Sequence, residues 1–211
     1  MFKFRCGFCF LFYVCIYNYS LAQTFKPVLN SEKILDELRK SSRLTNSIQA
    51  DFHEEKYMAV LKEPEKSSGV FYYKKNDKMR WEQQTPFKYI ILINGNQLRV
   101  QDAGKEKKVG SASRMAAQIK ELMIGLVNGE FQENKSFKQI ITESSEAYQV
   151  TLVPVNKRMK NVYSKINLLF SKSTLRLKEL SFFEKSGDKN IMKFQNEKIN
   201  QPIAESVFLN L

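Results

Sequence analysis

From Ile48 onward the sequence keeps returning to a period of two, with aromatic and β-branched residues alternating with charged ones in short runs. Successive side chains of a strand point to opposite faces, so each run reads as a strand with one face buried. The runs fall at 47–57, 67–75, 78–84, 87–94 and 97–102, and again at 137–143, 147–153, 161–171, 174–184 and 189–195, with a last short strand expected around Phe208. Between them stand Pro64, Asn76-Asp77, Pro86, Asn94-Gly95-Asn96 and Ser186-Gly187-Asp188. Separators this short exclude crossover helices, so consecutive runs pair as antiparallel hairpins. A sheet of about ten or eleven such strands twists and has to curl to bury one face.

Two stretches carry the helical period instead. Ser31 is placed to cap a helix ending near Leu44, with Ile34, Leu35 and Leu38 on one side and Glu32, Asp36, Glu37 and Arg39 on the other. Further on, Met115, Ile119, Leu122, Met123 and Leu126 recur at helical spacing before Asn128-Gly129. The expected class is therefore mainly β with helices (α+β).

Ahead of all this, Met1 to Arg5 is basic and aromatic, Cys6 to Tyr17 is an apolar run, and Ser20-Leu21-Ala22 has small residues at the cleavage positions. This reads as a secretory signal over 1–22, cut before Gln23. Roughly a dozen apolar residues fall short of the about 20 needed to span a bilayer. Cys6, Cys9 and Cys15 are the only cysteines, so the mature chain, 23–211, is expected to have no disulfide or thiolate chemistry. That length suits one domain. Loss of Lys3 and Arg5 lowers the formal charge from +12 to +10. Export argues against nucleic acid as the partner of so basic a chain. Lys74, Lys75, Lys78, Arg80, Lys105, Lys107, Lys108, Arg158 and Lys160 alternate with other residues and read as solvated strand faces and turns.

Catalytic signatures are missing. His53 is the one histidine, without the companions a metal site or a general base requires, and reads as a surface residue. No phosphate-binding glycine loop, His-Glu-x-x-His or serine elbow occurs. Glu54-Glu55 and Glu63 with Glu65 lie in lysine-rich polar surroundings and read as solvated. Neither enzyme, metal nor cofactor is expected.

The segment Ser67-Ser68-Gly69-Val70-Phe71-Tyr72-Tyr73-Lys74-Lys75, a short turn, Met79-Arg80-Trp81-Glu82-Gln83-Gln84-Thr85-Pro86 and the strand closing at Ile93-Asn94-Gly95 resembles the LolA family. Shared features are a strand ending in basic residues, an apolar-x-Trp strand, a proline five residues past the Trp and an Asn-Gly hairpin. Ser47 to Phe52 and Leu98 to Asp102 fit the family's flanking strands. The resemblance implies an incomplete antiparallel barrel with helices over its apolar concave side. It also implies a periplasmic, monomeric carrier that shields the acyl chains of lipoproteins, or of another acylated molecule, between an inner-membrane donor complex and an outer-membrane acceptor. Rival readings are a lipid- or lipoprotein-sensing regulator that binds a membrane partner, and an enzyme acting on lipids or envelope sugars.

By strand parity Tyr73, Met79 and Trp81 share one face, opposite Lys74, Lys78, Arg80 and Glu82, while Leu98 and Val100 oppose Arg99 and Gln101. Tyr73, Met79, Trp81, Ile91, Leu98 and Val100 are the expected groove. The helix with Met115, Ile119, Leu122, Met123 and Leu126 is the expected lid, filling the groove when no guest is bound. In the family, a basic residue of the strand before the Trp, often an arginine followed by proline, latches the lid by hydrogen bonds. Aligned on Trp81 that position is Lys75, followed here by Asn76, so the latch lacks a planar fork.

Overall fold

Asn76 and Asp77 both adopt positive φ, 71° and 55°, within the three-residue turn 75–77, a conformation that asparagine and aspartate tolerate better than other side chains. They join β3 (Glu65–Lys74) to β4 (Lys78–Thr85) in the register Tyr73 with Met79 and Phe71 with Trp81. The computed structural model describes residues 24–107, residue 125 and residues 135–211. The signal segment and the lid residues Met115, Ile119, Leu122, Met123 and Leu126 lie outside the described residues.

The remaining strands are β1 (Lys26–Pro27), β2 (Ser47–Tyr57), β5 (Tyr89–Asn94), β6 (Gln97–Asp102), β7 (Lys105–Lys107), β8 (Phe137–Glu143), β9 (Ala147–Pro154), β10 (Tyr163–Ser171), β11 (Leu177–Glu184) and β12 (Lys189–Ile199). Among the described residues they form one 12-stranded sheet in the order β1-β8-β9-β10-β11-β12-β2-β3-β4-β5-β6-β7. Every pairing is antiparallel. The chain thus lays down two meanders, and β12 joins them by pairing with β2, Phe194 opposite Phe52. The sheet is open and curved. Its outer strands are β1, two residues with Pro27, and β7, three residues with Lys105 and Lys107, both poor templates for further pairing.

Strand spans expected from the sequence agree with these to within a few residues. Three elements were not expected: β1, β7 and the short helix α2 (Lys157–Val162), capped by the Asn156 side chain. The first helix, α1 (Ser31–Arg43), is capped by Asn30 rather than Ser31: Asn30 Oδ1 accepts the Lys33 N–H at 3.0 Å. Ser31 already belongs to the helix, because a capping side chain must lie ahead of the N–H groups it satisfies. Leu38 of α1 is 1% exposed, and Ile34 and Leu35 pack beside it against the sheet's main core.

That core draws on one face of β2 to β5 and β8 to β12, with Phe52, Val150, Leu152, Ile166, Leu168 and Leu180 fully buried. The opposite face of β3 to β5 carries a second, smaller cluster: Ile90, Leu92 and Phe208, flanked by Tyr72, Ile203, Val207 and Leu211. Phe208 does not sit in a last strand, as the sequence suggested. It ends a one-turn 3-10 helix, Glu205–Phe208, of a C-terminal strap laid across the sheet. Phe208 is buried with Ile90 and Leu92 of β5, and that removal of a ring from water holds the strap on the sheet.

Candidate functional site

Strand register gathers the expected groove residues into two adjacent rows. One runs Tyr73, Met79, Ile93, Leu98 and the other Phe71, Trp81, Ile91, Val100, each residue directly opposite the next across β3 to β6. Cross-strand neighbours lie on the same face, so all six named positions share one apolar surface. Tyr73, Met79 and Trp81 are buried, while Ile91, Leu98 and Val100 are partly exposed.

The row continues into aromatic residues that sequence reasoning had not singled out. Trp81 stacks on Phe52 at a centroid distance of 3.8 Å and 28°, and meets Phe71 at 6.2 Å and Phe194 edge-on at 6.4 Å. β4 and β12 are three strand spacings apart, about 14 Å along a flat sheet. Curvature toward this face brings such side chains together. Gly69 lets the β4 backbone approach closely: it sits beside a register shift, and a Cβ there would lie 1.9 Å from the Glu82 carbonyl oxygen. The only signal for Phe52 and Phe71 was their parity with Ala50 and Tyr73; nothing local marks Phe194.

An apolar cavity of about 80 Å³ opens between the C-terminal end of α1 and the sheet. Its floor is Ile48, Phe71, Phe170, Leu177, Leu180 and Phe194, and its rim carries Ser41, Thr45, Arg176 and Glu197. None of the six expected groove residues lines it; it shares Phe71 and Phe194 with the cluster around Trp81. The space therefore lies toward the β10 to β12 side of the face rather than over β4 to β6.

Lys75 ties down the end of α1. Its Nζ donates to the carbonyl of Arg43, the last residue of α1, at 2.8 Å, and its backbone N–H donates to Asn46 at 2.9 Å. A cation at a helix C-terminus meets the unpaired carbonyls there. Asn200, at positive φ, adds a second tie: its Nδ2 donates to the Leu44 carbonyl at 3.1 Å and its Oδ1 accepts the Asn46 N–H at 2.6 Å.

Of the basic positions expected to be solvated, Lys105 and Lys160 are exposed, Lys108 and the Arg158 side chain lie outside the described residues, and Lys74, Lys78 and Arg80 are engaged by the C-terminal strap. Glu205 of the strap accepts from Lys74 and Lys78 at 2.5 and 2.6 Å, and these two ammonium groups hold its carboxyl down to about 2. Arg80 donates to the carbonyls of Val207 and Asn210, and Arg99 to that of Leu209 at 3.0 Å. Glu54 also departs from expectation, accepting from Ser67 at 2.6 Å and from Asn190. In both places a segment remote in sequence supplies the partner. His53 lies exposed on β2, opposite Ser68 and Lys193.

Residues 43–209 match the family described as "Outer membrane lipoprotein carrier protein LolA". The chain belongs to the LolA family. Among its LolA relatives, an "Outer-membrane lipoprotein carrier protein" from Coxiella burnetii is 24% identical over 203 residues, 92% of this chain and 88% of that one. A protein of the same description from Dechloromonas aromatica is 23% identical over 183 residues, 86% and 85% of the two chains. A crystal structure of a LolA superfamily protein from Nitrosomonas europaea is similar with a TM-score of 0.47 at 12% identity, covering 86% of this chain and 98% of that one. Among the described residues of this LolA-family chain no helix is long and apolar enough to cross a membrane.

Proposed function

We propose that the chain is exported by residues 1–22 to the periplasm and works there as a monomeric, non-enzymatic carrier. It shields the acyl chains of lipoproteins, or of another acylated molecule, between an inner-membrane donor complex and an outer-membrane acceptor. The observation that carries this reading is the continuous apolar face, two rows across β3 to β6 running on through the aromatic cluster to a cavity under α1.

Size decides how such a face would be used. A cavity of about 80 Å³ is well below the roughly 300–1,000 Å³ of sites that enclose drug-sized ligands. An acyl chain of about 16 methylenes, worth roughly 13 kcal/mol on leaving water, enters only by displacing side chains already buried there. Net affinity is then a difference between two burials, small enough for a membrane partner to reverse. The displaced element in this proposal is the stretch with Met115, Ile119, Leu122, Met123 and Leu126, whose methionines repack readily around different guests. Lys75 is the latch of that stretch in this proposal, and it also holds the end of α1.

A fluorescent fatty-acyl probe titrated into purified protein tests this. Saturable binding is expected, and Leu98→Glu and Leu122→Glu are expected to lower it at least about tenfold, each leaving the thermal unfolding transition cooperative. Folded variants that bind as well as the parent would overturn the carrier reading.

A further inference from the structure

The strands of this sheet end at two rims, and the rims differ. At one lie the connections 58–64, 86–88, 103–104, 155–162 and 185–188; at the other lie 44–46, 75–77, 95–96, 144–146 and 172–176. The first rim holds Val60, Leu61, Phe87 and Val155, exposed at 88%, 44%, 74% and 46%; among the described residues the connections of the second hold one large exposed apolar residue, Leu44, and Leu29, exposed at 105%, follows β1 beside that end of β8. Charge follows the same division. Exposed Lys62, Lys88, Lys157, Lys160 and Lys185 stand at the first rim against Glu63 and Asp188, while Lys75, Lys172 and Arg176 at the second face Asp77 and Glu146.

These apolar tips are held out rather than left loose. Ala59 N–H donates to Asp188 Oδ1 at 3.0 Å, which fastens the 58–64 loop to the neighbouring turn, and Leu61 N–H closes on the Met58 carbonyl at 3.0 Å. Gln83 Nε2 donates to the Phe87 carbonyl at 3.0 Å. The loops bearing Val60 and Phe87 are two strand spacings apart, about 10 Å, so both can touch one flat surface. Five exposed lysines against Glu63 and Asp188 leave the rim net positive.

We propose that this rim is a docking surface for an anionic phospholipid bilayer, with Val60, Leu61 and Phe87 entering the headgroup layer and the surrounding lysines meeting lipid phosphates. Shallow apolar insertion combined with attraction by several lysines is the pattern of reversible interfacial binding. The cavity under α1 opens at the other rim, next to Ser41, Thr45 and Arg176, so docking and acyl binding are separable by mutation.

The test is flotation of the purified protein with vesicles of phosphatidylcholine alone and of phosphatidylcholine with about one third phosphatidylglycerol, at low and high salt. Binding to the anionic vesicles only, weakened by salt, is expected. The double variant Val60→Ser/Phe87→Ser is expected to lose at least about tenfold in partitioning, while Leu44→Ser, at a site as exposed as Phe87, leaves it unchanged. Equal loss in Leu44→Ser, binding indifferent to lipid charge, no binding at all, or vesicle-free self-association abolished by the double variant would each overturn the proposal. Acyl-probe affinity of the double variant is expected to match the parent, so a failure here stands apart from a failure of the carrier reading.

Discussion

Trp81 and Phe52 lie ring on ring at 3.8 Å although β3 runs between their strands. The contact passes over Gly69 and beside Ala50, the two smallest residues of that face, and Trp81 is the chain's only tryptophan. Intrinsic fluorescence therefore reports on this cluster. Phe52→Ala removes a fully buried ring and is expected to cost about 3–5 kcal/mol in urea unfolding, with a red shift of the Trp81 emission. An unshifted spectrum would mean that the two rings are not in contact in solution.

Gly69→Ala asks for a different accommodation. Its Cβ would meet backbone, the Glu82 carbonyl oxygen at 1.9 Å, so no rotamer change relieves it and β3 must move away from β4. A loss of about 3 kcal/mol or more is expected from chemical denaturation, against about 0.5 kcal/mol or less for alanine at the exposed Gln84.

Replacing Lys75 by methionine keeps most of the side chain and removes the hydrogen bond to the Arg43 carbonyl. Because Lys75 is exposed, the change is expected to cost only about 0.3–1 kcal/mol. Its effect should be local: faster amide hydrogen exchange at Leu44 and Thr45, with Lys75→Arg retaining protection. Unchanged exchange at these amides in Lys75→Met would remove the latch.

The strap carries a pH signature. Glu205 is held down to about 2 by hydrogen bonds from Lys74 and Lys78, below its unfolded value of about 4.3. A depressed carboxyl stabilises the fold fully above the unfolded value and loses that contribution as pH falls toward the folded one. Amide exchange at Leu209 and Asn210 is therefore expected to accelerate between about pH 4.3 and pH 2 beyond the intrinsic rate change. Glu205→Gln should show the weaker protection already at pH 5 and no further loss across that window. A wild-type profile as flat as that of the variant would show that the strap does not depend on this carboxylate.

Much of the architecture is written in local pattern. Alternation places β2 to β6 and β8 to β12 within a few residues of their ends, and parity puts Tyr73, Met79, Trp81, Leu98 and Val100 on one face, because the period of a strand is set by its own backbone. The helical stripe of Ile34, Leu35 and Leu38 identifies α1 for the same reason.

What the chain could not announce locally is which remote segments meet. The seam of β12 on β2 brings Asn196 to Asp51, 145 residues away in sequence, and Phe194 to Trp81; the strap carries Glu205 to Lys74 and Lys78. Lysines that alternate like a solvated face became anchors because a distant carboxylate lies over them. The cavity moved toward β10 to β12 because α1 ends there. Periodicity tells a side chain which way to point, whereas sheet curvature and long-range closure decide what stands opposite it, and those depend on the whole chain burying its apolar surface at once.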